Sequence, residues 1–237
     1  MSEAPKTERI PAFADADMRE RINAAHIQSG VILIDPHATY IDAEVRIGAR
    51  TVVYPGNVLE GDTKIGEGCT LLPNNRLRDT IVSDGAALES TVAIEAEIGA
   101  HTTVGPFAFL RQGTRIGANC RVGDFVEIKN STVGDLTRIS HLTYVGDSDL
   151  GEDINLGCGV VFVNYDGKHK HRSHVGDRAF IGCNVNLVSP VTIGQDAYVA
   201  AGSTVTEDVS EASLCIARER QVVKEGWVEK RRKAGKL

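Results

Sequence analysis

A polar segment in the second half of the chain carries the residues best suited to chemistry. The stretch VNYDGKHKHRSH holds His169, His171 and His174 between lysine and arginine residues. Basic side chains on a loop suit an anionic substrate or a phosphorylated cofactor, because they form charge-assisted hydrogen bonds with phosphate. A merely solvated basic loop explains this segment alone equally well.

The same three histidines raise the question of a metal ion, since imidazole is a common metal ligand. However, Lys168, Lys170 and Arg172 alternate with them and would repel a cation. The sequence therefore predicts no metal site in this segment.

A second candidate for proton chemistry is His141, in the stretch HLTYVG. Imidazole titrates close to neutral pH and can take up or release a proton there. A histidine on the face of a repeat is nevertheless more often structural than catalytic. The catalytic interpretation requires phosphate-binding residues around it.

The elements that must position these residues follow a six-residue repeat. That period fits neither a helix nor a hairpin, but it fits short strands joined by tight turns, with one aliphatic side chain per strand pointing inward. Three such strands close a triangular coil, and successive coils stack, which predicts an all-β parallel β-helix. The longest in-phase runs are Ile47, Val53, Leu59, Ile65, Leu71; Ile98, Val104, Leu110, Ile116, Val122, Ile128; and Val175, Ile181, Leu187, Ile193, Val199, Val205.

The repeat divides the chain into four parts. Residues 1–14 form an N-terminal tail, and residues 15–30 form a short capping helix with Met18, Ile22 and Ala25 on one stripe. The β-helix covers residues 31–209, with an inserted loop at 163–174 where the repeat is interrupted. Residues 210–237 form a C-terminal arm and a basic, solvated tail.

Composition narrows the range of functions. The net charge of −6 disfavours nucleic acid and membrane surfaces as partners, and no apolar run is long enough to span a bilayer. The five cysteines are odd in number and none forms a CxxC pair. We therefore expect reduced thiols and a cytoplasmic protein.

Motifs spread along the chain resemble one family. GPFAFLRQG, VGDFVEIKN, HLTYVGD, INLGCG, VNYDGKHK, VSPVTIG, VAAGSTVT and QVVKEGW occur in this order. They resemble the acetyltransferase half of the bacterial bifunctional N-acetylglucosamine-1-phosphate uridyltransferase/glucosamine-1-phosphate N-acetyltransferases. The resemblance implies left-handed winding, a homotrimer with sites between subunits, and acetyl transfer from acetyl-CoA to the amine of glucosamine 1-phosphate. It implies no metal for that step, and a product used for UDP-N-acetylglucosamine and cell-wall synthesis.

The resemblance also implies roles for individual residues. His141 corresponds to the general base. The sugar-phosphate positions are Arg111, Lys129, Tyr144 and Lys170, and the position that contacts the sugar is Asn155. The acetyl-CoA positions are Cys158, Asn164, Tyr165, Cys183, Ala201 and Arg218, the last from a neighbouring subunit.

Two departures leave alternatives open. No glycine-rich nucleotidyltransferase segment is found, so we expect neither uridylyl transfer nor its Mg²⁺; a separate uridyltransferase would then be a partner. Cys183 stands where many relatives have serine, and His171 replaces a usual aromatic residue. The acceptor could therefore be another amino sugar or a sugar nucleotide, or the chain could be a non-catalytic scaffold for a separate uridyltransferase.

Overall fold

The computed structural model describes residues 11–236, and it forms a three-faced parallel β-solenoid. Residues 1–10 of the predicted tail lie outside the described residues. Strands pair in parallel with the strand three positions further along the chain, so consecutive strands lie on different faces; only the last described strand, Leu214–Cys215, pairs with the strand two positions before it. This is the predicted β-helix of hexapeptide repeats; its left-handed winding stays a prediction.

The strands of each face stack in chain order. Face 1 contains Ile32–Leu33, Val52–Val53, Thr70–Leu71, Ala87–Leu88, Thr103–Val104, Arg121–Asp124, Arg138–His141, Asn155–Leu156, Phe180–Ile181, Tyr198–Val199 and Leu214–Cys215. Face 2 contains Tyr40–Ile41, Val58–Glu60, Arg76–Arg78, Val92–Ile94, Phe109–Leu110, Glu127–Lys129, Tyr144–Gly146, Val161–Val163, Asn186–Val188 and Thr204–Val205. Face 3 contains Arg46–Ile47, Lys64–Ile65, Ile81–Val82, Glu97–Ile98, Arg115–Ile116, Thr132–Val133, Ser148–Leu150, Ser173–Val175 and Thr192–Ile193.

The core is a ladder of aliphatic side chains along the axis. Leu71, Leu88 and Val104 occupy the same register in three successive coils, and each is almost completely buried. Only one side chain per strand has to fill the interior, which explains why the chain folds with few aromatic residues. Burial of this ladder is the main source of stability.

Buried threonines link neighbouring coils at the edges of the prism. The hydroxyl of Thr102 donates to the carbonyl of Gly117 at 2.7 Å and accepts from the amide of Cys120 at 3.0 Å. Such a side chain satisfies backbone groups that the turn leaves unpaired. The small and β-branched positions of the repeat are therefore hydrogen-bonding positions as well as packing positions.

A helix over Ala16–Gln28 lies against the first coil, within the predicted capping segment. Asp15 accepts a hydrogen bond from the amide of Met18 at 2.8 Å and so begins the helix. The predicted apolar stripe is only partly right, because Met18 is exposed. Asn23 is the buried residue of this helix, and its amide donates to the carbonyls of Pro36 and Thr39.

The structure moves two of the predicted boundaries. The solenoid continues past residue 209, since Leu214–Cys215 pairs with Tyr198–Val199. The excursion is shorter than predicted, because strands reach Val163 and resume at Ser173. The basic tail contains a helix over Trp227–Lys233. Neither α-helix of the described chain is long and apolar enough to cross a membrane.

The ladder generates a stability prediction. Ile98→Ala should lower the free energy of unfolding by about 2–5 kcal/mol, because the side chain is fully buried and leaves a cavity. Glu97→Ala, one residue away on the outer side, removes an exposed ion pair with Arg115 and should cost less than about 1 kcal/mol. Urea unfolding of both variants checks this, and equal losses would contradict the ladder.

Candidate active site

One carboxylate accepts several hydrogen bonds within the excursion between Val163 and Ser173. Asp166 accepts from the backbone amides of His169 and Lys168 at 2.6 and 2.7 Å, and pairs with Nε2 of His171 at 2.7 Å. These bonds, led by the His169 amide, lower the pKa of Asp166 to about 2. The loop therefore keeps its shape near neutral pH.

A second anchor ties the loop back to face 3. Arg172 donates to the carboxylate of Asp149 and, at 3.0 Å, to the carbonyl of Asn130. The ion pair with Asp149 raises the pKa of Arg172. His171 and Arg172 thus hold the loop, and the side chain of Lys170, the residue just before them, reaches Lys129 instead.

Three cations meet where face 2 ends and face 3 begins, an edge that we call the 2–3 edge. Arg111 and Lys129 are in register in neighbouring coils, and the ammonium of Lys170 lies against that of Lys129. This close contact, with partial burial and the charge of Arg111, lowers the pKa of Lys129. Like charges held together favour an anionic ligand.

One buried carboxylate lies under the two lysines. Asp147 accepts from the amide of Asn130 at 2.6 Å and from the amide of Asn164 at 2.5 Å. Burial raises the pKa of Asp147, but these two hydrogen bonds and the charges of Lys129 and Lys170 outweigh it, so the pKa is lowered overall. Asp147 therefore stays ionised and fixes the base of the cation cluster.

Tyr144 and Asn164 lie side by side above Gly146. A β-carbon on Gly146 would lie 2.7 Å from the Tyr144 ring and 2.7 Å from Nδ2 of Asn164. Only a glycine leaves room for both groups. The fold thus brings together five of the predicted ligand-binding residues: Arg111, Lys129, Tyr144, Asn164 and Lys170.

His141 ends a face-1 strand at the opposite side of face 2, on what we call the 1–2 edge. Its Nδ1 lies 2.5 Å from Oδ1 of Asp124, its register partner in the preceding coil. The hydrogen bond to His141 lowers the pKa of Asp124, so this group is a carboxylate that can only accept. Nδ1 therefore carries the hydrogen of this bond, and Nε2 is the ring nitrogen that points away from Asp124.

Four other predicted residues continue along the 1–2 edge from His141. Backbone hydrogen bonds link the coils in turn: Gly159 to His141 at 3.4 Å, Asn184 to Cys158 at 2.8 Å, and Gly202 to Cys183 at 2.9 Å. Ala201 precedes Gly202, and the Arg218 side chain comes within 3.6 Å of where a β-carbon of Gly202 would lie. We call Cys158, Cys183, Ala201 and Arg218 the edge row.

Within one chain, not all of the predicted residues meet. His141 and the cation cluster lie at opposite ends of face 2, with Tyr144 between them. Asn155 lies on face 1, beside Arg138 of the preceding coil. Tyr165 is exposed on the loop, and its hydroxyl donates to the carbonyl of Gly167 at 2.7 Å.

The sequence interpretation missed Asp124 and Asp147. Both lie 17 residues from a partner that it singled out, His141 and Asn164. That separation is one coil of the solenoid. Searching for polar residues one coil away from each candidate would have found both carboxylates.

Comparisons with known proteins agree with the fold and with the motifs. The family profile described as "Bacterial transferase hexapeptide (six repeats)" matches residues 95–130 and 172–207. "Bifunctional protein GlmU" of Clostridium acetobutylicum is 55% identical over 214 residues, which cover 90% of this chain and 47% of the relative. The same protein of Clostridium kluyveri is 51% identical over 220 residues, which cover 93% of this chain and 48% of the relative.

The chain spans about half the length of these curated relatives. Among solved structures, the UDP-N-acetylglucosamine acyltransferase of Francisella novicida superposes with a TM-score of 0.55 at 19% identity. The match covers 78% of this chain and 67% of that one, and at such low identity it supports the fold alone.

The contact between His141 and Asp124 generates a prediction about titration. His141→Ala should raise the pKa of Asp124 towards its ordinary value, because the imidazole is the main cause of the lowering. A carboxyl ¹³C NMR titration measures this directly. Arg138→Ala is the control, since Arg138 lies on the same strand but pairs with Asp153. An Asp124 titration that is the same in both variants would contradict the assigned contact.

Proposed function

The chain is a hexapeptide-repeat protein related over nine-tenths of its length to the acetyltransferase half of the bifunctional GlmU proteins, and from this premise we propose that it transfers acetyl from acetyl-CoA to the amine of glucosamine 1-phosphate. The product, N-acetylglucosamine 1-phosphate, would serve UDP-N-acetylglucosamine synthesis. The observation that carries the proposal is the convergence of Arg111, Lys129, Tyr144 and Lys170 at one end of face 2, with the Asp124–His141 pair at the other.

The proposed chemistry begins with the amino group. Nε2 of His141 takes a proton from the amine as its nitrogen attacks the thioester carbonyl. The carboxylate of Asp124 stabilises the imidazolium that forms. A C–N bond forms, the C–S bond breaks, and the CoA thiolate leaves and takes up the proton held by His141. A thiolate is a good leaving group, so this step needs no metal ion and no covalent intermediate on the protein.

The cation cluster would bind the sugar phosphate. A phosphate dianion relieves the repulsion between Lys129 and Lys170 that lowers the pKa of Lys129. Arg111 is held by Glu127 at 2.8 Å and adds a third positive charge. The Tyr144 hydroxyl and the Asn155 amide are assigned to the hydroxyl groups of the sugar.

Acetyl-CoA would lie along the edge row. Small side chains at Cys158, Cys183 and Ala201 leave a path beside the prism, and Arg218 offers a charge for the phosphates. Asn164 and Tyr165 are assigned to the same cofactor, although they lie at the 2–3 edge. Two neighbouring prisms placed side by side would bring both edges to one ligand.

This arrangement leads us to propose a homotrimer with sites between subunits. Phe107, Phe125 and Leu142 stack along the 1–2 edge, and each is more than half exposed. An apolar row of this kind beside the proposed base fits an interface with a second copy. All five cysteines are free thiols, which fits a reducing, cytoplasmic setting.

A thiol-release assay tests the activity. With acetyl-CoA and glucosamine 1-phosphate, the purified protein should release free CoA, and His141→Ala should release it about 10²–10⁴-fold more slowly. Glucosamine, glucosamine 6-phosphate and UDP-glucosamine serve as alternative acceptors. Release with one of these instead would overturn the proposed acceptor, and no release with any acceptor would overturn the proposed enzyme.

The loop offers a matched pair of lysines. Lys170→Ala should raise KM for the sugar phosphate about 10–100-fold with a smaller change in kcat, because it removes a charge-assisted contact with the phosphate. Lys168→Ala removes the same charge two residues away and should leave KM nearly unchanged. Steady-state kinetics at varied acceptor concentration measures both; equal effects would mean that only the net charge of the loop matters.

A further inference from the structure

Two cysteines lie next to each other on the 1–2 edge. Leu156 and Ile181 are register partners on face 1, and Cys158 and Cys183 each follow two residues later. The amide of Asn184 donates to the carbonyl of Cys158 at 2.8 Å, so the register holds through the turn. Cys158 is partly exposed and Cys183 is exposed.

The spacing of the coils suits a covalent link between these thiols. Register partners in neighbouring parallel strands lie about 4.8 Å apart, within the range of roughly 4.4–6.8 Å between the Cα atoms of a disulfide. The corners touch closely here, since a β-carbon on Gly157 would lie 2.6 Å from the Cys183 nitrogen. Gly157 and Gly182 allow this close approach, because a β-carbon at either position would collide with the backbone of the next coil.

The other three cysteines lack the combination of an accessible thiol and a neighbouring cysteine. Cys69 and Cys120 are buried, their thiols contact the carbonyls of Ser83 and Gly134 at 3.2 Å, and burial raises the pKa of both. Cys215 packs against the core in the register position of Leu156, three coils further along the solenoid, and so lies away from Cys158 and Cys183. Among the five thiols, only Cys158 and Cys183 are both accessible and adjacent.

We propose that Cys158 and Cys183 form a reversible disulfide by exchange with a small-molecule disulfide. The thiolate of the more exposed Cys183 attacks one sulfur of the small disulfide and releases one small thiol. The Cys158 thiolate then attacks the Cys183 sulfur of this mixed disulfide and releases the second thiol. Two protein thiols are oxidised, and one small disulfide is reduced to two thiols.

The link would be easily reversed. β-Carbons at equivalent positions of neighbouring coils lie about 4.8 Å apart, whereas a disulfide requires roughly 3.5–4.5 Å between its two β-carbons. The two corners must therefore move slightly closer, and the resulting strain makes the disulfide more reducible. A strained, accessible disulfide belongs to the labile class, which responds to the redox state of its surroundings. The pair therefore acts as a modification site rather than as a permanent staple.

The consequence for activity rests on the proposed function. Both cysteines belong to the edge row assigned to acetyl-CoA, directly along the edge from His141. A link between them draws two corners of this row together and removes both thiols from the surface that faces the cofactor. Oxidation would therefore stop acetyl transfer, and reduction would restore it.

The experiment treats the full chain with glutathione disulfide and measures the intact mass and the peptide map. We expect a loss of two hydrogens, a Cys158–Cys183 peptide and full reversal by dithiothreitol. Cys183→Ser should give no internal link, whereas Cys215→Ser, the control, should link as the parent does. Glutathione attached to Cys183 without a link, or a link between other cysteines, would overturn the proposal.

Activity and protection are measured on the same samples. The linked parent should lose about 100-fold in thiol release, because small displacements in a site have effects of this size, and recover with dithiothreitol. Acetyl-CoA should slow the linking. If the disulfide forms equally fast with acetyl-CoA present, the proposed disulfide stands, but the assignment of acetyl-CoA to the edge row is wrong. Full activity of the linked protein would overturn the regulatory role.

Discussion

The structure depends on one constraint, the in-register stacking of coils by parallel main-chain hydrogen bonds. Each inward aliphatic side chain sits directly above its equivalent in the preceding coil, and a slip of one residue would turn it outward. Residues that are far apart in sequence are therefore placed at a fixed short spacing along the outside of the prism. The contacts of Asp124 with His141 and of Asp147 with Asn130 and Asn164 are contacts between such equivalents, whereas Lys170 reaches the site from the loop.

The candidate site follows directly from this stacking. Asp124 and His141 are equivalents in adjacent coils, as are Asn130 and Asp147. The scaffold supplies rigid positions, and the chemistry requires only that polar residues occupy consecutive ones. Asp124 and Asp147 both lie at register positions of the solenoid, so the stacked coils hold these two carboxylates in place.

The amino-acid sequence was sufficient to predict the ladder, because a six-residue period of aliphatic side chains fits neither a helix nor a hairpin and is buried only when short strands stack in coils. It did not predict the strand Leu214–Cys215, since the spacing slips after Val205 while the hydrogen bonds continue. Burial of Asn23 was also missed, because its two backbone acceptors lie on a separate segment. The residues at the 2–3 edge were found through motif resemblance, and their pairing with Asp147 became visible only once the coil length was known.

The excursion at the 2–3 edge shows how such a scaffold accommodates extra chain length. The coil that contains it takes 25 residues where its neighbour takes 17, yet both end in the same register. The extra length at this edge thus leaves the register of the neighbouring coils unchanged. In evolutionary terms the edge is a grafting point, at which a new segment can be inserted while the register of Asp124 and His141 stays the same.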